Sequence, residues 1–327
     1  MSQAAGAVGA QLQPSQHHAV ALARRSQIDN LRPPRLPGAQ RRCRIIEPAP
    51  TRYHRTRGRT PLSWRRLRLP PRPSSTPHHV STPDSQSPTT TVAERVATIH
   101  ARIEAAARAA DRDPSSVQLV AVAKTFGPDA VRAAVHAGAL IIGENYLQEA
   151  MEKQDALTDL DIAWHFIGAI QSRKARAVAE RFDFVHTVDR AKIAQRLAEA
   201  RPPARGPLNV CIQVNLDGEA TKAGVAPDAL PELAREVRSL SALRLRGLMA
   251  LPAPRSAPSE QVAVFRRLSA LLGALRATLP AAESDRLNVL SMGMSADLEA
   301  AIAAGATHVR IGSALFGPRQ RPQENAK

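Results

Sequence analysis

The chain has 327 residues, which allows one large domain or two of medium size and excludes the peptide classes. Hydrophobic residues make up 43% and charged residues 23%, close to ordinary globular values, whereas aromatic residues are scarce at 3%. Of the formal net charge of +16, residues 1–90 carry +12, because they contain 15 arginines, no lysine and three acidic residues.

The cysteine content and the hydropathy pattern exclude two further classes. Cys43 and Cys211 are the two cysteines, so neither a disulfide framework nor a CxxC metal site is possible, and a reducing compartment fits best. No run of 18 apolar residues occurs, and polar residues interrupt the N-terminus too early for a secretory signal. We therefore expect a cytoplasmic protein without a membrane segment.

Residues 1–90 have the composition of a disordered basic extension. They hold 13 of the 26 prolines and show neither a helical nor an alternating apolar period, so they cannot bury enough surface to offset chain entropy. Two alternatives remain open: an organellar transit peptide, and an arm that binds phosphate backbones while Tyr53 or Trp64 stacks on bases. We favour a solvated extension or an over-extended translation start, with no nucleic-acid partner.

Folding is predicted to begin at residue 91, which divides the chain into an extension, 1–90, and one domain, 91–327. Thr91 and Glu94 have the spacing of a capping box, so a helix should start there. Its apolar residues recur every three or four positions through about residue 110, and form one stripe.

An alternation of short apolar runs and amphipathic segments follows. The eight runs, predicted as strands, are 119–125, 141–146, 164–170, 184–189, 210–216, 245–251, 287–294 and 308–317. Each amphipathic segment between them has the pattern of a crossover helix, so the arrangement predicts an α/β fold, a (β/α)₈ TIM barrel. An open doubly wound sheet is the alternative, but the segment after the first strand, AKTFGPD, lacks its GxGxxG fingerprint.

Polar residues at the predicted strand ends indicate the chemistry, since active sites of such barrels lie at the C-terminal mouth. Lys124 follows the first strand, where partial desolvation would lower its pKa and favour the free amine that a Schiff base requires. The alternative is an ordinary lysine whose ammonium reaches solvent from the strand end.

The last two units add a predicted anion site. Ser291 and Ser295 lead into a predicted helix, and Arg310, Gly312 and Ser313 end the eighth strand. Loops after strands seven and eight commonly hold phosphate in such barrels. A lysine opposite a phosphate site suggests pyridoxal 5′-phosphate as cofactor. Helix capping by the serines and a structural ion pair of Arg310 are the alternatives.

Several strings together resemble the pyridoxal phosphate homeostasis proteins, whose fold is similar to the N-terminal barrel of alanine racemase, fold type III. They are AVAKT, GENYLQE, WHFIGAIQSRK, FVHTVD, QVNLDGEATKAGV, LRGLMALP and LSMGMSADLEAAIAAGATHVRIGSALFG. The resemblance covers residues 91–327 and leaves residues 1–90 unmatched. It implies a protein that binds pyridoxal phosphate and buffers it or delivers it to apoenzymes that depend on it.

The resemblance also implies a role for each residue at the mouth. Lys124 would form the Schiff base, Asn145 and His165 would line the mouth, and Met249 would face the cofactor. The phosphate would be surrounded by Ser291, Ser295, Gly312 and Ser313, and Arg310 would approach the pyridine nitrogen. Turn chemistry for Asn145 and core packing for His165 and Met249 remain alternatives. Ala123 and Arg173 depart from the family's usual Ser and Asn, which bears on secondary contacts.

The residues favour a carrier over an enzyme. A racemase needs a second base opposite the lysine, usually a tyrosine, and a second domain that closes the site. Tyr53 lies in the extension and Tyr146 is the other tyrosine, while the chain ends ten residues after Gly317. A cationic Arg310 at the pyridine nitrogen would weaken the ring as an electron sink. A racemase-like enzyme is the main alternative, and a barrel enzyme that acts on phosphorylated sugars is a third.

Overall fold

The first helix of the described chain begins where the capping box predicts it. The computed structural model describes residues 90–219 and 222–318, so the extension predicted over residues 1–90 lies almost wholly outside it. Helix α1 spans Val92–Ala109. The Thr91 hydroxyl accepts a hydrogen bond from the Glu94 amide at 3.2 Å, and the Glu94 carboxylate accepts one from the Thr91 amide at 2.7 Å.

Eight parallel strands pair in chain order, and β1 also pairs with β8, so the sheet closes into a barrel. The strands are β1 (Gln118–Val122), β2 (Ile141–Glu144), β3 (Ala163–Phe166), β4 (Phe184–Val188), β5 (Leu208–Gln213), β6 (Leu243–Met249), β7 (Val289–Ser291) and β8 (His308–Ile311). The predicted (β/α)₈ barrel is confirmed, and the open doubly wound sheet is excluded by the pairing of the first strand with the last.

Helices cover the outer face of the barrel. They are α2 (Pro128–His136), α3 (Leu147–Ala156), α4 (Ala175–Arg181), α5 (Ala191–Ala200), α6 (Leu230–Ser239), α7 (Pro258–Ala277), α8 (Ala281–Ser284), α9 (Leu298–Ala303) and α10 (Ser313–Phe316), with single 3₁₀ turns at Pro114–Ser116, Ser172–Lys174 and Pro203–Arg205. The two short helices α8 and α10 were not expected from the sequence. None of the helices in residues 90–219 and 222–318 is long and apolar enough to cross a membrane.

Alternation along the strands separates two cores. On β1, Leu119 and Ala121 join the large apolar cluster between strands and helices, whereas Val120 packs with Ile141 and Ala163 in a separate cluster. Successive strand side chains point to opposite faces, so the second set lies inside the barrel. By the same alternation, every second side chain at the C-terminal ends of the strands points toward the mouth of the barrel.

The sequence predicted several strands longer than they are. The third predicted strand ran to residue 170, but β3 ends at Phe166, while Ile167 and Ile170 remain buried. The eighth ran to residue 317, yet its last residues form helix α10, with Leu315 and Phe316 buried. Loops that pack against the barrel rim bury apolar side chains without strand pairing. An apolar run in the sequence therefore extends beyond the strand, and the predicted strands were too long.

One helix start was also predicted too early. The segment from Ser295 was expected to enter its helix directly, but α9 begins at Leu298, and Ser295 lies in the preceding turn. Asp297 is at the N-cap, and its Oδ1 accepts a hydrogen bond from the Met294 amide at 2.5 Å. This hydrogen bond holds the residues before Leu298 in a turn, so the helix begins later than predicted. Asp stabilises such turns through its own side chain.

Candidate cofactor site at the barrel mouth

Lys124 lies at the C-terminal mouth of the barrel, in the turn after β1. It is the second residue after the strand and is half-buried. The register sets its neighbours, because Val122 pairs with Gly143 on β2 and Val120 pairs with Arg310 on β8. Extending both registers past the strand ends places Lys124 opposite Asn145 on one side and Ala314 on the other, while Gly312 lies opposite Val122.

Asn145 presents an unsatisfied acceptor at this mouth. Its Oδ1 is buried and has no hydrogen-bond partner within the described residues. The loop after β3 holds the Asn145 backbone closely, since a Cβ at Gly168 would lie 2.1 Å from the Asn145 carbonyl oxygen. Both residues line a cavity of about 300 Å³, together with Thr187, Gln213, Asn215 and Lys222. A buried acceptor on a cavity wall is suited to a ligand that carries a donor.

Gly312 and Ser313 form the other flank, where β8 leads into α10. The amides of Ser313 and Ala314 open this helix, and the hydrogen bonds of its turn are donated by the later residues Leu315 and Phe316. A Cβ at Gly312 would meet Val122 only at ordinary contact distance, 3.5 Å or more. Protein packing alone therefore does not require glycine at this position.

Arg310 is buried beneath this flank. Its Nη1 donates to Ser291 Oγ on β7 at 2.7 Å, and its Nη2 donates to the carbonyl of Ala250, the residue after β6, at 2.9 Å. Burial lowers the pKa of Arg310 to about 10, and the group remains a cation at neutral pH. The alternative of a structural ion pair is not what the contacts show, because both acceptors are neutral.

A hydrogen-bond relay runs from Arg310 into the barrel interior. Ser291 Oγ lies 2.7 Å from His186 Nδ1, and His186 Nε2 lies 2.9 Å from His165 Nδ1. Arg310 donates to the hydroxyl oxygen, which leaves the hydroxyl hydrogen able to donate to His186 Nδ1 when the His186 proton is on Nε2. Burial lowers the pKa of His186 well below its usual value, so this imidazole is neutral.

The floor of the mouth is built from residues of the next layer down. Met249 and His165 are fully buried, and Met249 packs with Phe184, Cys211 and Val289. The His165 ring lies 5.0 Å from Phe184 and 6.0 Å from His308, centroid to centroid. Burial raises the pKa of the Cys211 thiol, which keeps it protonated and unreactive.

Comparison with known proteins assigns the family. Residues 95–320 match the family model for the alanine racemase N-terminal domain. The pyridoxal phosphate homeostasis protein of Pseudomonas aeruginosa is 57% identical over 229 residues, 70% of this chain and 96% of that protein. The protein of the same name from Escherichia coli K12 is 45% identical over 231 residues, 70% and 97% of the two chains.

The chain belongs to the pyridoxal phosphate homeostasis protein family. Among solved structures of the family, PipY of Synechococcus elongatus with pyridoxal phosphate bound is 37% identical, with a TM-score of 0.61. The alignment covers 69% of this chain and all of PipY. Alanine racemase from Bartonella henselae has a TM-score of 0.51 at 14% identity, a likeness that shows the fold alone.

Two predicted phosphate ligands of this family member have other contacts. The Ser291 side chain is fully buried, and its hydroxyl is engaged by Arg310 and His186. Ser295 is half-buried in the turn before α9, where its carbonyl accepts a hydrogen bond from Arg102 at 3.1 Å. The structure therefore groups Lys124, Asn145, Gly312 and Ser313 around the mouth, with Arg310, Ser291, His165 and Met249 below it, and Ser295 one turn further along the chain.

The sequence analysis missed the residues that contact the backbone around Lys124. Lys153 on α3 donates to the Ala123 carbonyl and to Glu144, and Glu149 accepts from the Thr125 amide. A signal was present, because Glu144 and Glu149 lie in the string GENYLQE and Lys153 follows Glu149 at a helical spacing of four residues. The two departures from the family pattern differ in setting: Ala123 is fully buried, whereas Arg173 is exposed and bonds to Gln171.

Proposed function

We propose that this chain binds pyridoxal 5′-phosphate covalently and reversibly at Lys124 and serves the intracellular homeostasis of that cofactor. In this role it buffers pyridoxal phosphate in the cytoplasm or delivers it to apoenzymes that require it. The named function of the Pseudomonas aeruginosa and Escherichia coli relatives supports the proposal, as does the bound cofactor of PipY. The observation that carries it is the position of Lys124 at the strand ends, between Asn145 and the segment from Gly312 to Ala314.

The residues at the mouth fit the chemical groups of this cofactor. Bound pyridoxal phosphate supplies an aldehyde, whose carbon forms a C=N bond with a primary amine as the aldehyde oxygen leaves in water. Lys124 provides the amine, and the amides of Ser313 and Ala314 are suited to the phosphate dianion. Gly312 supports this assignment because protein packing does not require glycine there, and a glycine permits close approach of a ligand to the backbone.

Arg310 is suited to the pyridine nitrogen, which would accept a hydrogen bond from the guanidinium. Its cationic form disfavours protonation of that nitrogen by like-charge repulsion. We assign Ser291 to holding Arg310 rather than to the phosphate, because its hydroxyl already joins Arg310 to His186. Asn145, His165 and Met249 complete the pocket wall and floor, and Ser295 is assigned to the outer edge of the phosphate site.

These assignments favour binding without turnover. An unprotonated ring nitrogen is a poor electron sink for carbanion chemistry. Tyr146, the tyrosine nearest the site in sequence, lies at the N-cap of α3 and is 54% exposed, a poor setting for a base that faces the lysine across the ligand. Incubation with amino acids deuterated at the α-carbon tests this point: retention of deuterium is expected, and its loss would indicate a racemase-like enzyme.

Calorimetry on a Lys124→Ala variant tests the binding mode. The amides of α10 are preorganised, so the variant should still bind pyridoxal phosphate without a covalent bond, more weakly than the wild-type protein. Pyridoxal without phosphate should bind far less well to both proteins. Lys174→Ala, at an exposed position on the 3₁₀ turn Ser172–Lys174, is the matched control. Equal affinities of Lys124→Ala for the two ligands would contradict the phosphate assignment.

A further inference from the structure

The peptide units on both sides of Lys124 are held by one turn of helix α3. Before it, the Ala123 carbonyl accepts a hydrogen bond from Lys153 Nζ at 2.7 Å. After it, the Thr125 amide donates to Glu149 Oε2 at 2.8 Å. Glu149 and Lys153 are four residues apart on α3, and their charged atoms lie 3.7 Å from each other. A cation and an anion of one helix thus contact the peptide units on the two sides of Lys124.

The turn that contains Lys124 and Thr125 needs contacts from outside the turn to stabilise it. Thr125 has a φ of +68°, in the left-handed region that a β-branched residue occupies at a cost in energy. The Phe126 amide donates to the Ala123 carbonyl at 3.1 Å, which closes the turn, but this bond does not reach the peptide between Lys124 and Thr125. The Glu149 carboxylate bonds to that peptide, and a charge-assisted bond of this kind is strong enough to hold an unfavourable conformation.

Lys153, the cation of this pair, is held in place by a residue of β2. Lys153 is 4% exposed, and its Nζ also donates to Glu144 Oε1 at 2.7 Å, with Glu144 itself fully buried. A lysine buried to this extent is rare unless it is paired. Here the pairing directs the ammonium to the carbonyl of Ala123, which lies between the end of β1 and Lys124.

We propose that Glu149 and Lys153 are positioning residues for Lys124: they hold the turn so that its amine is directed to the ligand aldehyde. The inference rests on the proposed function, because the proposed function makes Lys124 the amine that bonds to the ligand aldehyde. The inference concerns how that amine is positioned. Neither residue is assigned contact with the cofactor. Their effect should therefore appear in formation of the C=N bond and not in binding of the ring and phosphate.

Glu149→Ala is the primary test, since the Glu149 side chain is 37% exposed and its removal leaves no buried charge unpaired. Stopped-flow absorbance with pyridoxal phosphate measures C=N bond formation, and titration with pyridoxine 5′-phosphate measures binding of a ligand without the aldehyde. We expect bond formation to slow at least about tenfold and pyridoxine phosphate affinity to change less than about twofold. Amide exchange at Thr125 in the cofactor-free protein should accelerate at least about tenfold.

Two matched variants complete this test. Glu149→Gln keeps an oxygen acceptor for the Thr125 amide and should restore most of the rate of bond formation. Glu152→Ala removes an exposed carboxylate from the same helix and should behave as wild type. A wild-type rate in Glu149→Ala, or an equal loss for both ligands, would overturn the inference.

Lys153 is tested together with its partner, because loss of one charge alone would leave the other buried and unpaired. The double variant Glu144→Leu, Lys153→Met removes both charges while retaining apolar volume. It should fold and show slowed C=N bond formation with pyridoxine phosphate affinity retained. An unchanged rate in the folded double variant would remove Lys153 from the assignment.

The Lys124→Ala variant separates this inference from the proposed function. If it still forms the adduct, the proposed function fails whatever Glu149 does. If it abolishes the adduct while Glu149→Ala forms it at the wild-type rate, the positioning role alone fails.

Discussion

Arg310 and Ser291 are joined inside the barrel by a hydrogen bond of 2.7 Å from Nη1 to Oγ, and the other contact of this guanidinium goes to the neutral Ala250 carbonyl. The Ser291 hydroxyl also hydrogen-bonds to His186 Nδ1, and burial lowers the pKa of His186, so neutral groups hold the cation. An arginine held by neutral hydrogen-bond acceptors remains available as a cation to a ligand at the mouth, and the Asp297 carboxylate favours its charged form.

Ser291→Ala should therefore weaken both the fold and the cofactor site. The substitution removes the acceptor of Arg310 Nη1 and the partner of His186 Nδ1 in a buried setting, which should lower the free energy of unfolding by about 1–3 kcal/mol. Urea unfolding and pyridoxine phosphate titration measure the two effects. Ser239→Ala, at an exposed helix end, is the control. Unchanged ligand affinity in Ser291→Ala would show that this contact does not hold Arg310 for the ligand.

Glu144 should make stability fall as the pH rises. Burial, only partly offset by Lys153, raises the pKa of Glu144 from 4.5 to about 7. Between these values the folded protein keeps a proton that the unfolded chain has lost, so stability present at about pH 4.5 is lost by about pH 7. From pH 5 to pH 7.5, the wild-type protein should lose about 2 kcal/mol more than Glu144→Gln.

The measurement is urea unfolding of the two proteins across that pH range, with the exposed Glu104→Gln as control. Groups outside the Glu144–Lys153 pair cancel in the difference, which therefore reports this pair. Parallel pH profiles for wild type and Glu144→Gln would contradict the raised pKa.

His308 should act in the opposite direction. Burial lowers the pKa of His308 from 6.5 to about 3, so below about pH 6.5 the unfolded chain takes up a proton that the folded protein excludes. Stability is therefore present above pH 6.5 and is lost on acidification. On going from pH 7 to pH 5, His308→Gln should lose about 2 kcal/mol less than wild type by chemical denaturation. His136→Gln, at an exposed histidine, should follow the wild-type profile, and an identical profile for His308→Gln would refute the assignment.

Removal of residues 1–90 should leave the barrel and its ligand binding unchanged. Thr91 caps α1, and all eight strands of the barrel come later in the chain. The truncated protein should have the same melting temperature and pyridoxal phosphate affinity as the full chain, and protease should trim the full chain to about residue 90. A stable proteolytic fragment that retains residues 40–80 would show that the extension folds.

The sequence predicted the barrel well because its signals are local. The capping box at Thr91 and the apolar strand runs each depend on a few neighbouring residues, and the structure contains them at the expected places. Tertiary contacts account for the differences. Asp297 delays α9 through a bond to Met294, and Ser291 turns inward to Arg310 and His186, a pairing across 105 residues for the histidine. Lys153 was missed because its partners, Ala123 and Glu144, become neighbours only when β1 and β2 pair.

The central claim is that Lys124 is the residue to which pyridoxal phosphate attaches. Borohydride reduction of the loaded wild-type protein, followed by peptide mapping by mass spectrometry, identifies the modified lysine directly. The account predicts the reduced adduct on Lys124, with none formed in Lys124→Ala under the same conditions. An adduct located instead at Lys222 or Lys174 in the wild-type protein would contradict it.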